Sequence, residues 1–253
     1  MSDNPANYFK KYRSAIGFSN QTDAKNFLAG KDISPNIDFR YIDLLNERIA
    51  LVIHKLNEII KLQNDINIFC QEKILVPYDV IRSANILPRL NNQGRRPEEV
   101  LFSWLCGYVI CEYFTPIFSQ LFNISISSIS QIGNDDLVNI ETFKRSPQAD
   151  LEFKIGAKTI RLEVQSGFQG INDIKEHKVR EARRVHSESG ILTVCIHIDI
   201  FNGQVAFVRL DKIQENDVNF VTRQQMEGQS VLAIDQNYFT WRLLDQLPEL
   251  EDL

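Results

Sequence analysis

The sequence predicts a mixed α/β fold: a mixed parallel and antiparallel sheet laid down in the order α-β-β-β-α-β, with a helical region before it. Three observations predict it. Residues 146–166 alternate apolar and polar side chains on both sides of a two-residue turn. A long apolar helix pattern precedes that stretch, and a polar helix pattern then leads into a second alternating run. Residues 38–63 repeat apolar side chains at helical spacing well upstream of both. The boundaries expected from this order are a helical N-terminal region at 1–96, a core at 97–210, and an extension at 211–253 packed on the core.

The 253 residues, 43% of them hydrophobic, suffice for a sizeable core in one domain or two small ones. Net charge is −5, so any nucleic-acid contact must use a local basic patch. Cys70, Cys106, Cys111 and Cys195 show no paired metal-ligand spacing and read as reduced, buried thiols of a cytoplasmic, bacterial-type protein. The first residues are polar and no apolar run is expected to span a membrane.

Residues 8–18 and 22–29 read as short helices, closed by Gly30 and Pro35. In 38–63, Ile42, Leu45, Ile49, Val52, Leu56 and Ile59 form a seam that would suit a coiled coil between two subunits. Leu44, Ile53 and Ile60 widen it, which favours a helix packed in a globular core. Residues 64–96 read as shorter helices and loops, with Pro77 and Pro88 at boundaries. Pro97 fits the first position of a helix reaching about residue 122, apolar on nearly every side and therefore buried. On it, Glu98 sits where the helix dipole favours an acid. Glu112 shares a stripe with Leu101, Leu105 and Tyr108 and, if buried, needs a partner. Residues 123–133 alternate and are expected to form a strand.

The hairpin comes next. Gly156-Ala157 is a two-residue turn with glycine first. Counting outward pairs Ile155 with Lys158, Phe153 with Ile160 and Leu151 with Leu162. The opposite face carries Asp150, Glu152, Lys154, Thr159, Arg161, Glu163 and Gln165. Residues 172–187 then read as a locally basic helix, a crossover between parallel strands. Asn202-Gly203 marks a second hairpin between 191–201 and 204–210. His197 reads as a structural strand histidine ahead of a general base. The tail offers a strand at 230–235 and an aromatic segment, Tyr238-Phe239-Thr240-Trp241-Arg242.

Counting places Asp150 opposite Glu163. Cross-strand partners have Cβ atoms roughly 4.5–5.5 Å apart, so the two charges repel and raise each other's pKa. Either they are solvated, or one is protonated, or a cation joins them. Mg²⁺, held by one or two carboxylates plus water and phosphate, suits oxygen ligands so placed.

Pro147, Asp150 and Glu163-Val164-Gln165 resemble the P-D…(D/E)-X-K motif of Mg²⁺-dependent nucleases, especially type II restriction endonucleases. The resemblance covers about residues 97–210 and implies a restriction-endonuclease-like αβββαβ core. It implies Asp150, Glu163 and Gln165 as catalytic residues, with Mg²⁺ on Asp150, Glu163 and the Val164 carbonyl. Glu98 or Glu112 becomes a candidate accessory acid. Gln165 stands where the family has lysine; its amide can hold a water but carries no charge. The resemblance further implies site-specific hydrolysis of double-stranded DNA by a homodimer, with a cognate DNA methyltransferase as functional partner. Arg95, Arg96, Lys144, Arg145, Lys175 and Lys178 are the candidate DNA contacts, and the N-terminal region would serve dimerisation or DNA contact. The alternatives are a repair or recombination nuclease of the same core, or a non-catalytic DNA-binding protein that has lost the motif lysine.

Overall fold

A computed structural model describes residues 5–30, 32–90, 95–133, 148–167, 172–214, 218, 220–223 and 228–249. The chain is mixed α/β, built on a six-stranded mixed sheet. Its strands are β1 (Ser130–Gln131), β2 (Leu151–Ile155), β3 (Lys158–Gly167), β5 (Leu192–Asp199), β6 (Gln204–Arg209) and β9 (Phe239–Arg242), in that spatial order. Only β3 and β5 pair in parallel; the other neighbours are antiparallel. The chain between β3 and β5 carries a short strand, β4 (Asp173–Lys175), and a helix, α7 (Glu176–Ser189). β4 pairs with β8 (Gln229–Ala233), which pairs with β7 (Val221–Arg223), making a small second sheet.

The β2–β3 hairpin has the counted register from Ile155↔Lys158 to Leu151↔Leu162. Gly156 takes φ +58° in the turn, a left-handed conformation that glycine adopts without strain from a Cβ. On the polar face Arg161 Nε donates to Glu152 Oε2 at 2.8 Å, a cross-strand pair in register.

Alternation along the strands builds two cores. Leu151, Phe153, Ile160, Leu162, Val194, Ile196 and Ile198 face a layer of helices. Cys195, Ala206 and Val208 face the other way, against Val179 and Ala182 of α7 and Ile174 of β4. β5 is therefore buried on both faces, as a central strand should be.

The helical layer contains α3 (Phe39–Ile60) and α6 (Pro97–Leu121), with α4 (Ile66–Cys70) and α5 (Val76–Ser83) beside them. Asp38 starts α3, its side chain accepting from Tyr41 N–H. The buried stripe of α3 is Ile42, Leu45, Asn46, Ile49, Ile53 and Leu56. Leu44 and Ile59 stay about half exposed, at 50% and 59%. The stripe thus follows the globular period, not the heptad. It merges with α6 and the sheet into one core, so the boundary expected at residue 96 does not separate two cores. The tail joins too: β9 adds to the sheet edge and Trp241 is buried. α1 (Pro5–Ala15) and α2 (Gln21–Leu28) bury no residue.

Three elements differ from expectation. The strand expected at 123–133 shrinks to β1, because Ile126–Ser128 coils into a 3₁₀ turn stitched by serine hydroxyls. The helix expected from residue 172 starts at Glu176, since Asp173–Lys175 pairs with β8 instead. The Asn202-Gly203 loop spans residues 200–203, because Asp199 itself pairs with Gln204. The Asp199 carboxylate accepts from Asn202 N–H and Nδ2 and from Gln204 Nε2, which fixes the wider loop. Among the described residues, α6 is the one helix long and apolar enough to cross a membrane, and its most apolar window is 56% buried inside the protein.

Candidate metal centre

The face of β3 turned toward α7 carries Glu163. Leu162 points into the helical core and is fully buried, so the next side chain must point the opposite way. Glu163 is 5% exposed and pairs in register with Cys195 of β5. Burial pushes its pKa up; the charge and hydrogen bond of Lys178 pull it back, and the net shift remains upward. A carboxylate so placed needs a cation beside it to stay ionised.

Asp150 arrives where β2 begins. The regular ladder ends at Leu151↔Leu162, and the expected Asp150–Glu163 rung does not form. Instead Asp150 N–H donates to the Leu162 carbonyl at 3.0 Å, one step off the ladder. The Asp150 carbonyl accepts from Ile132 and Gly133 N–H, which ties the chain after β1 to this point. The slip lets Asp150 Oδ2 accept from Val164 N–H at 2.7 Å. In a ladder, one residue's N–H and C=O point to the same neighbour. Val164 therefore turns its carbonyl to the same edge of β3 as its N–H. Both acids converge electrostatically on the fully buried Cys195 thiol. Burial, then Glu163, then Asp150, push its pKa well above the usual thiol value.

The residue that sequence reasoning placed elsewhere is Lys178. It was expected to meet DNA from the basic helix. Its side chain is 16% exposed, and Nζ donates to Glu163 Oε2 at 2.7 Å and to the Gln148 carbonyl at 3.0 Å. Gln165 Nε2 approaches Glu163 Oε1 at 3.5 Å, the outer limit of a hydrogen bond. Glu163 thus holds an ammonium supplied by α7. No pattern in α7 marks Lys178 apart from its neighbours; only the packing of Val179 and Ala182 against the sheet turns it inward. A cavity of about 10 Å³, lined by Ala149, Arg161, Glu163, Lys178 and Thr193 among others, has room for about one water.

The donor set suits Mg²⁺: two carboxylates and a carbonyl are hard oxygen ligands. Among the described residues no three His, Cys, Asp or Glu side chains converge on one point, so a bound ion would complete its shell with water and phosphate.

Of the other candidates, Lys175 reaches this cluster through its charge, which lowers the pKa of Glu163; the rest are engaged elsewhere or lie outside the described residues. Glu98 is 1% exposed, and its Oε1 accepts from Asp38 N–H at 2.8 Å and Arg96 at 3.1 Å. It ties the start of α6 to the start of α3. Glu112 is half-buried and pairs with Lys73 Nζ at 2.6 Å and with Gln131 of β1, which gives it the partner that burial requires. Arg95 donates to Ser103 Oγ at 2.6 Å and the Glu99 carbonyl at 3.3 Å. Arg96 lies over the Tyr41 ring, 5.2 Å from its centroid. Lys175 is half-buried at the end of β4. Lys144, Arg145 and Pro147 lie outside the described residues, as does the loop at 91–94.

A second polar group continues along β5. His197 is 3% exposed, pairs with Gln165 across the parallel ladder, and its Nε2–H donates to Asn172 Oδ1 at 2.8 Å. Nδ1 is buried without a hydrogen-bond partner among the described residues, so a second proton there would strand a charge. Burial accordingly pushes the pKa down to about 4, against the pull of Asp199 and Asp173. The unfolded chain, with a histidine pKa near 6.5, binds more protons than the native state between those values. His197 therefore stabilises the fold fully above pH ~6.5, and the contribution fades as pH falls toward 4. The loss is at most about 3 kcal/mol. Urea unfolding at pH 7 and pH 4.5 should show it, and His197→Gln should shrink it.

Comparison of the chain with family models, curated proteins and solved structures finds no match.

Proposed function

We propose that the protein is a Mg²⁺-dependent type II site-specific endonuclease that hydrolyses phosphodiester bonds of duplex DNA. The observation that carries the reading is that Asp150 is bonded to the residue next to Glu163, where β2 leaves the Val164 edge open, while Lys178 pairs with Glu163. Asp150, Glu163 and the Val164 carbonyl would hold the ion, which when bound acidifies water and polarises phosphate.

The chain's own residues do the rest. Lys178 supplies the positive charge that Gln165 lacks. Gln165 directs its amide toward the Glu163 carboxylate and orients a water there. The rigid pairing of β2, β3 and β5 keeps these groups fixed during reaction.

Mixed-sequence plasmid incubated with purified protein and Mg²⁺ should give discrete fragments, and Glu163→Ala should give none. Fragments persisting in Glu163→Ala would reject the site. Ladders or nicks would indicate a structure-directed nuclease, and binding without cutting a non-catalytic DNA-binding protein. Gln165→Ala should slow cutting by about tenfold, ~1.4 kcal/mol in the barrier, with DNA affinity retained.

A further inference from the structure

We propose that Lys178 is a resident occupant of the cation site: it holds Glu163 before metal arrives, and the metal displaces its ammonium into position for the DNA phosphate. The inference rests on the metal-binding role assigned above and adds an order of events to it.

The geometry requires competition. Lys178 Nζ sits 2.7 Å from Glu163 Oε2. A Mg²⁺ ion takes a carboxylate oxygen at about 2.0–2.1 Å, so an ammonium hydrogen-bonded to that oxygen would sit about 4 Å from the ion, with like charge. The two cations repel across Oε2 and compete for it. Among the described residues the other oxygen is held by Gln165 alone, at 3.5 Å, so the ammonium is the stronger lock.

A second contact limits where the ammonium goes. Nζ also donates to the Gln148 carbonyl at 3.0 Å, two residues before Asp150 and outside the carboxylate pair. Released from Glu163, Nζ keeps that tether. A lysine stem has the rotatable bonds and three donors to hold one acceptor while turning to another. The displaced charge therefore stays beside the ion instead of leaving with solvent.

The cost of displacement appears as weakened metal binding, because only the open fraction of the protein accepts the ion. An ion pair closed about nine-tenths of the time weakens the apparent affinity about tenfold.

Two measurements without DNA test this. Calorimetric titration of Mg²⁺ at pH 8 should show Lys178→Met binding about tenfold tighter than wild type, and Lys178→Arg no tighter. Acylation of Lys178 by an amine-reactive reagent, read by peptide mass spectrometry on the wild-type protein, should rise severalfold when Mg²⁺ saturates. Unaltered or weaker affinity in Lys178→Met overturns displacement, and so does acylation that ignores Mg²⁺. If Glu163→Gln abolishes Mg²⁺ binding while Lys178→Met leaves it unchanged, displacement alone is rejected. Should neither wild type nor Lys178→Met bind Mg²⁺, the metal-binding role fails and displacement falls with it.

Discussion

DNA cleavage by Asp150→Asn is expected to fall by about 10³-fold, ~4 kcal/mol in the barrier, with little loss of stability. The two parts of that expectation come from different atoms. In the proposed site the carboxylate charge would help hold the ion, and Asn removes it. The acceptor oxygen on Val164 N–H is a structural bond that the Asn carbonyl can still make. Asp150→Ala removes both and leaves a strand-edge donor without its partner, which costs about 1–3 kcal/mol where water cannot reach it. Glu163→Gln should match the loss of cleavage but also destabilise, since it strips Lys178 of its buried counter-charge, worth about 3 kcal/mol when one partner is removed. Single-turnover cleavage and urea unfolding on the same samples separate these cases. Asp150→Asn cutting at the wild-type rate would end the metal-site reading.

The hairpin was legible because two local signals agree. Period-two alternation and a glycine-led turn specify the same register, and a one-residue slip would turn Leu151, Phe153, Ile160 and Leu162 out of the core. The acids were legible only as residue types. Counting paired Asp150 with Glu163, yet the ladder stops one residue short because the chain near β1 captures the Asp150 carbonyl. That capture comes from a segment nearly twenty residues away, which alternation in the hairpin cannot report. Lys178 was legible as a basic residue and not as Glu163's partner. Its inward turn depends on how α7 packs against Cys195, Ala206 and Val208, a tertiary choice that the helix pattern alone leaves open. β4 was missed for a similar reason. Asp173–Lys175 becomes a strand only because β8, some sixty residues later, pairs with it. Long-range pairing overrides local helical preference there.

The other large expected effect lies in the core. Phe114→Ala should destabilise the protein by about 3–5 kcal/mol. Phe114 is fully buried in the C-terminal half of α6, its ring edge-on to Tyr113 at 5.2 Å between centroids. α6 belongs to the core that joins α3 to the sheet, so truncation opens a cavity where neither layer can collapse without moving the other. A shift of the urea midpoint with unchanged slope would report a pure loss of stability. Tyr113→Phe is the graded control: it keeps the ring and loses the hydroxyl's bonds to Asn57 Oδ1 at 3.1 Å and to the Leu62 backbone, about 1 kcal/mol each. Leu44→Ala and Ile59→Ala are the unaffected controls, since both side chains are at least half exposed in one chain and should cost less than about 0.5 kcal/mol. A larger, concentration-dependent loss at those two positions would mean that a second chain covers that face of α3. A Phe114→Ala midpoint within error of wild type would mean that α6 does not join the two layers as described.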